Sequence, residues 1–183
     1  QPCSGTSCGR STQDRRVNLP MASLLAEPLT LPCGATLPNR ISKAAMTEGL
    51  ADIHGRATGE LDRLYLAWSE GGAGMLLSGN IHIDADHLER PGNVIIDREP
   101  DDEAKRALSH WAAAATRNGN HFWAQISHAG RQTQKAVNPH PKAPSAVKLG
   151  LPGGQFGQPV ALTEEEILNI IARFGTAARV CKE

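Results

Sequence analysis

Gln125, His128 and Arg131 stand three residues apart at the end of the apolar run His121-Phe122-Trp123-Ala124-Gln125-Ile126-Ser127, and they bring an amide, an imidazole and a guanidinium to one point of the chain. Phe122, Trp123 and Ile126 favour a strand, Asn118-Gly119 is a helix-stop signal upstream of it, and Gly130 turns the chain downstream, so these groups stand where a strand becomes a loop. An amide both donates and accepts, which suits Gln125 to pairing side by side with a flat ligand edge that carries an N–H next to a C=O. The same amide is equally able to be satisfied by backbone, where most side-chain hydrogen bonds go.

A second group is His82-Ile83-Asp84-Ala85-Asp86-His87, similar to the H-x-H-x-D-H of metallo-β-lactamase-type hydrolases with Asp84 at one His position. His82, Asp84, Asp86 and His87 are competent zinc ligands by type. A solvated loop at a strand end accounts for them too, and a catalytic zinc needs further ligands and an outer shell that the sequence does not display.

The elements that must position these residues alternate. Leu29-Thr30-Leu31 and Thr36-Leu37 flank Pro32-Cys33-Gly34 as a short hairpin. A small-residue strand is expected over 41–47. A helix over 59–70 places Leu61, Leu64, Tyr65 and Trp68 on one face and stops at Gly71-Gly72. A second strand runs from Met75 to Ile81 with the polar end Ser78-Gly79-Asn80. Asp101 or Asp102 then caps a helix whose apolar positions 104, 107, 108, 111, 112 and 115 follow the helical period. After the third strand, a Pro-, Gly- and Lys-containing loop over 132–162 is long enough to cover a site. Thr163 and Glu166 form a capping box that opens a helix with Ile167, Ile170, Ile171, Phe174, Ala178 and Cys181 inward.

Strand and helix in strict alternation mean a parallel sheet with crossover helices. Neither a Walker phosphate loop nor G-x-G-x-x-G comes after a strand, and Gly71-Gly72-Ala73-Gly74 precedes its strand. Each strand instead carries its special residues at its C-terminal end: Thr47, then Ser78, Gly79 and Asn80, then Gln125, His128 and Arg131. That is how a (β/α) barrel builds its active face.

The 183 residues are 40% hydrophobic and 21% charged, enough for one sizeable core. Lys and Arg number 19 against 19 Asp and Glu, so no basic field draws nucleic acid or an anionic membrane. No apolar run reaches the length of a membrane span, and cytoplasmic location is expected. Cys3, Cys8, Cys33 and Cys181 are too dispersed for a disulfide framework, and Cys3 and Cys8 lack a second pair nearby to complete a metal site. Residues 1–23, rich in Ser, Thr and Arg, are expected to be a disordered or non-native tail, with Met21 a natural start.

From Leu24 to Glu183 the chain resembles the N-terminal part of the Old Yellow Enzyme family of FMN-dependent NAD(P)H oxidoreductases. Leu37-Pro38-Asn39-Arg40-Ile41 is similar to the family's entry into its first strand, and Ala45-Met46-Thr47 stands where it has Pro-Met-Thr or Pro-Met-Cys. Gly72-Ala73-Gly74-Met75 through Ser78-Gly79-Asn80 resembles the second strand. Gln125-Ile126-Ser127-His128-Ala129-Gly130-Arg131 resembles Q-l-x-H-x-G-R, and Ala143-Pro144-Ser145-Ala146 the family's "aPSa". The resemblance implies that Ala45, Met46 and Thr47 line the flavin, with Thr47 near its O4 and N5 edge. It implies further that Gly79 and Asn80 pass close to the ring and that Gln125 pairs with the pyrimidine edge. His128 and Arg131 are assigned to fixing the loop. Ala45 departs from the usual Pro, and Gly49 stands where some relatives have a pocket Tyr.

The implied fold is an incomplete (β/α)8 TIM barrel, an N-terminal hairpin and then about three strand–helix units. A complete barrel takes about 250 residues, so the sequence reads as a piece of a longer protein. The family's substrate-binding His and Asn residues, its Tyr proton donor and its phosphate loops are expected beyond Glu183, and no catalytic residue is assigned here. The implied cofactors are FMN and NAD(P)H as reductant, and the acceptor is a small molecule such as an activated alkene. Alone, residues 1–183 are expected to bind little FMN and to associate through an open sheet edge, with a homo-oligomer compatible with this reading. A half-barrel with an interaction role, or none, is the alternative.

Overall fold

The computed structural model describes residues 23–183. The expected tail up to residue 22, with Cys3 and Cys8, lies outside the described residues.

The hairpin forms as the sequence indicates. β1 (Leu29–Thr30) and β2 (Thr36–Leu37) pair antiparallel, with Leu29 opposite Leu37 and Thr30 opposite Thr36. Gly34 supplies the positive φ of 89° that the turn requires.

The main sheet is parallel. β4 (Met75–His82) is its centre and pairs along its length with β6 (His121–Ser127). Its other edge is shared by β3 (Ser42–Lys43) at the start and β5 (Val94–Ile95) at the end. Helix α1 (Gly59–Glu70) joins β3 to β4, α2 (Asp102–Ala115) comes after β5, and α3 (Glu164–Lys182) after β6. Among the described residues no helix is long and apolar enough to cross a membrane.

The first strand is shorter than the expected 41–47. Beyond Lys43 the ladder stops, because the Lys43 ammonium donates to the carbonyls of Leu77 (2.7 Å) and Ala44 (2.9 Å) and takes up acceptors there. Residues 44–50 run on without regular structure.

The core lies between the sheet and the first two helices. Leu61 and Tyr65 of α1 are buried, with Leu64 and Trp68 half-buried, on the face the helical period marks. Asp101 caps α2 by accepting from the Ala104 N–H at 2.8 Å, and α2 buries Trp111 and Ala115. The Tyr65 ring meets Trp68, Trp111 and Phe122 at centroid distances of 4.9, 5.2 and 5.2 Å, edge-on or tilted as ring quadrupoles prefer.

α3 has its capping box, with Thr163 accepting from the Glu166 N–H and Glu166 accepting from the Thr163 N–H. Its inward face differs from the expected one. Ile167, Ile171 and Phe174 are 42, 60 and 37% exposed, and Ala178 and Cys181 are exposed as well. Ile170, Ala177 and Val180 pack on the core instead. In this orientation Arg173 stands 3.4 Å from Asp84, and Glu166 and Arg179 of the same helix pair with Lys142 and Glu99.

The 132–162 loop is more ordered than expected. It contains β7 (Lys142–Ala143), paired in parallel with β8 (Val160–Ala161).

Candidate functional site

A single irregularity in β4 decides which side chains meet. Met75, Leu76 and Leu77 pair with His121, Phe122 and Trp123, but Asn80 then pairs with Gln125, so Ser78 and Gly79 together oppose Ala124. This is a β-bulge. Side chains alternate along a strand, so without the extra residue Leu76 and Asn80 would share a face. With it, Leu76 and Ile81 both enter the helix-side core, and Asn80 turns to the opposite face beside Gln125.

The backbone groups freed by the bulge are satisfied from the helix layer. The Gly79 N–H donates to the Tyr65 hydroxyl oxygen (3.1 Å) and to Glu48 Oε1 (3.2 Å), while Tyr65 donates to Glu48. Burial and the adjacent Glu48 carboxylate push the Tyr65 phenol well above its ordinary pKa, so it remains a donor. Ser78 accepts from the Gln125 N–H at 2.8 Å and donates to the Gly79 carbonyl at 2.7 Å. A side chain at Gly79 would run into the Glu48 carboxylate and the Met46 carbonyl.

On the opposite face a line of polar side chains crosses three successive elements. Gln125 Nε2 donates to Asn80 Oδ1, Asn80 Nδ2 donates to Thr47 Oγ1 (3.2 Å), and Thr47 donates to Glu89 Oε2 (2.6 Å). Thr47, Asn80 and Gln125 are each half-buried at the C-terminal ends of their segments. Ala45 is half-buried beside them in sequence and Met46 is 52% exposed. Of the six residues expected to line a cofactor, three are therefore joined directly, Gly79 supplies the bulge that aligns them, and Ala45 and Met46 lead into Thr47. These amides and a hydroxyl suit a neutral, flat heterocycle with adjacent donors and acceptors.

His128 lies just beyond the end of β6, three positions on from Gln125, and does not join its line. There it joins a compact cluster. Asp84 Oδ2 is 3.1 Å from His87 Nδ1, 3.9 Å from His128 Nε2 and 3.4 Å from Arg173 Nη1, and the two imidazoles stack at 4.6 Å. Burial and the neighbouring His87 hold the His128 pKa down at about 4. Burial likewise lowers His82 to about 4. Burial opposes ionisation of Asp84, but hydrogen bonds from His87 and the Asp86 N–H, with the Arg173 charge, outweigh it and bring its pKa to about 2.

The zinc constellation His82, Asp84, Asp86, His87 does not assemble. His82 is fully buried and accepts from the Glu89 N–H, and Asp86 is exposed. The residues that do converge are Asp84, His87 and His128. Their hydrogen bonds disfavour a metal, since His87 Nε2 accepts from the Lys142 N–H (2.8 Å) and His128 Nδ1 accepts from the Gly130 N–H (3.1 Å). Each neutral ring then carries its proton on the inner nitrogen aimed at Asp84, whereas a metal-binding imidazole bears its proton on the outer one. The cluster clamps the ends of β4 and β6 to α3. The long loop closes over this cluster, bonding His87 through Lys142 and the Asp86 carbonyl through Asn138, rather than over Gln125. Arg131 is exposed.

Sequence reasoning missed Glu48, Tyr65, Glu89 and Arg173. Gly79 inside an apolar strand was a readable sign of the bulge. Nothing local distinguishes Glu89 from any charged loop residue.

Residues 24–183 match the NADH:flavin oxidoreductase / NADH oxidase family. The NADH-dependent flavin oxidoreductase iliE of Neonectria sp. (strain DH2) is 34% identical over 172 residues, covering 86% of this chain and 22% of that protein. The protein of the same name from Hypocrea jecorina (strain QM6a) is 33% identical over 176 residues, covering 87% and 44%. The chain thus spans less than half the length of these relatives. The solved old yellow enzyme homologue from Zymomonas mobilis superposes with a TM-score of 0.70 at 27% identity, over 85% of this chain and 44% of that one. With a match that takes in every described element from Leu24 onward, the chain belongs to the NADH:flavin oxidoreductase / NADH oxidase family, the family of the Old Yellow Enzymes, whose cofactors are FMN and NAD(P)H.

Proposed function

We propose that the whole protein is an FMN-dependent NAD(P)H oxidoreductase of the ene-reductase type, and that this chain contributes the first three strand–helix units of its barrel and one wall of its flavin site. The observation that carries the reading is the Thr47–Asn80–Gln125 line, which joins the segment following β3 to the C-terminal halves of the parallel strands β4 and β6, the end at which barrels of this kind place their chemistry.

Thr47, Asn80 and Gln125 would hold FMN, which when bound would supply the redox chemistry of hydride transfer between NAD(P)H and an electron-poor acceptor such as an activated alkene. The protein's part is to hold and orient. Because Gln125 Nε2 donates to Asn80, the orientation of the Gln125 amide is set, leaving its carbonyl oxygen and second N–H for the edge of the pyrimidine ring. Asn80 is fixed in turn by Thr47 and by the bulge. Ala45, Met46 and Gly79 would form the apolar and backbone surface along the ring. No residue of this chain is assigned the proton donor.

The reading is tested on the full-length protein by FMN titration and then by NADH oxidation with an activated alkene. A yellow protein that turns over is expected. A folded protein that takes up no FMN contradicts the reading.

A further inference from the structure

Glu89 belongs to the segment between β4 and β5, and the backbone on both sides of its side chain is tied down. Its own N–H donates to the buried His82 Nε2 (3.2 Å), and the next N–H, of Arg90, donates to Asn93 Oδ1 (3.0 Å). One carboxylate oxygen, Oε2, accepts from Thr47 Oγ1 at 2.6 Å and from Asn80 Nδ2 at 3.4 Å. The other, Oε1, accepts from Arg90 Nη2 at 2.8 Å and Nε at 3.1 Å. Burial works against the charge, but the donors from Thr47, Arg90 and Asn80 outweigh it and leave the carboxyl below its ordinary pKa, so it is ionised at neutral pH. The Glu89 side chain is 31% exposed and its cation Arg90 51%, so the compensating charge is the more solvated of the two.

We propose that Glu89 is a tuning residue of the flavin site, a fixed negative charge one hydrogen bond from Thr47 and Asn80 that holds the reduction potential of bound FMN low. The proposal rests on the assignment of Thr47 and Asn80 to that site. Reduction adds electron density to the ring, and a nearby carboxylate opposes it through the Coulomb interaction. The hydrogen bonds act in the same direction. Thr47 has one hydroxyl hydrogen, which goes to Glu89, and its oxygen also accepts from Asn80, so it has no proton to offer an electron-rich ring.

The test compares full-length wild type, Glu89→Gln and Arg90→Gln, each loaded with FMN, by potentiometric titration and by the Kd of oxidised FMN. Glu89→Gln keeps the shape and an acceptor for Thr47 while removing the charge. It should favour reduced over oxidised FMN by about tenfold, a rise of about 30 mV for a two-electron couple. Arg90→Gln leaves the carboxylate less compensated and should move the midpoint down, which supplies the sign test if Glu89→Gln folds poorly. A purely structural Glu89 would alter thermal stability and leave the midpoint in place. An unchanged or lowered midpoint in FMN-loaded Glu89→Gln, or an unmoved or raised one in Arg90→Gln, overturns the proposal while leaving the flavin-site reading intact. Absence of FMN binding by wild type overturns both.

Discussion

Two polar clusters stand at the same end of one sheet and differ in kind. Thr47, Asn80, Gln125 and Glu89 form a half-buried line on one face, mostly neutral, in which the Gln125 amide keeps its carbonyl oxygen and one N–H free. Asp84, His87, His128 and Arg173 form a charged knot on the helix side, where each ring's outer nitrogen is taken by backbone and the inner nitrogens stand 3.1 and 3.9 Å from the Asp84 carboxylate. The difference teaches where function and stability are divided. The line presents the free groups of Gln125 at an accessible sheet end, whereas the knot is enclosed where the ends of β4 and β6 meet α3.

The comparison breaks most sharply at Asp84. Asp84→Ala removes the one carboxylate that faces the two imidazoles and the Arg173 guanidinium, and should destabilise the protein by about 2–4 kcal/mol. Thermal or urea unfolding measures it. FMN affinity of the molecules that remain folded should change little, and a loss of flavin binding at full stability would reverse the division of roles.

Acid probes the same cluster. His82 and His128 have folded-state pKa values near 4 against an ordinary 6.5, so the folded protein binds fewer protons than the unfolded chain between those limits. Their contribution is complete above pH 6.5 and is lost as pH falls toward 4, by about 1–3 kcal/mol for each ring. Asp84, lowered from 3.8 to about 2, adds a further loss below pH 3.8. Denaturant unfolding at pH 7 and pH 4.5 should show the drop, and equal stability at both would mean that these rings are protonated in the native state.

Tyr65→Phe tests the line on the other face from behind. It removes one acceptor of the Gly79 N–H and the phenol donor to Glu48, at a cost of about 1–2 kcal/mol. Because the bulge aligns Asn80 with Gln125, FMN binding should weaken as well. Destabilisation without any change in FMN affinity would show that the bulge holds its shape unaided.

Much of this was legible in the sequence, for reasons that particular residues make plain. The helices over 59–70 and after Asp101 were readable because Leu61, Tyr65 and Trp111 repeat at the helical period and their stop and cap signals are local. Gln125 was legible because polar residues ending an apolar strand are conspicuous. The inward face of α3 was misread, since its apolar arc is wider than the surface the sheet offers and Ile170, Ala177 and Val180 are the part of it that packs on the core. The partners Glu48 with Gly79 and Glu89 with Thr47 lie 31 and 42 residues apart in the chain, and only the tertiary fold brings them together. The zinc reading of His82, Asp84, Asp86 and His87 failed on placement: residue type and spacing allowed it, but the fold buries His82 against the Glu89 N–H and leaves Asp86 exposed.

The central claim is that the accessible line, and not the buried knot, receives the flavin, and its most direct measurement is the FMN affinity of full-length Gln125→Leu against wild type. The substitution removes the amide without touching Asp84, His87 or His128. The account predicts FMN binding weaker by about 1–3 kcal/mol, roughly 5- to 150-fold in Kd, with a nearly unchanged unfolding midpoint. Wild-type FMN affinity in Gln125→Leu would contradict it.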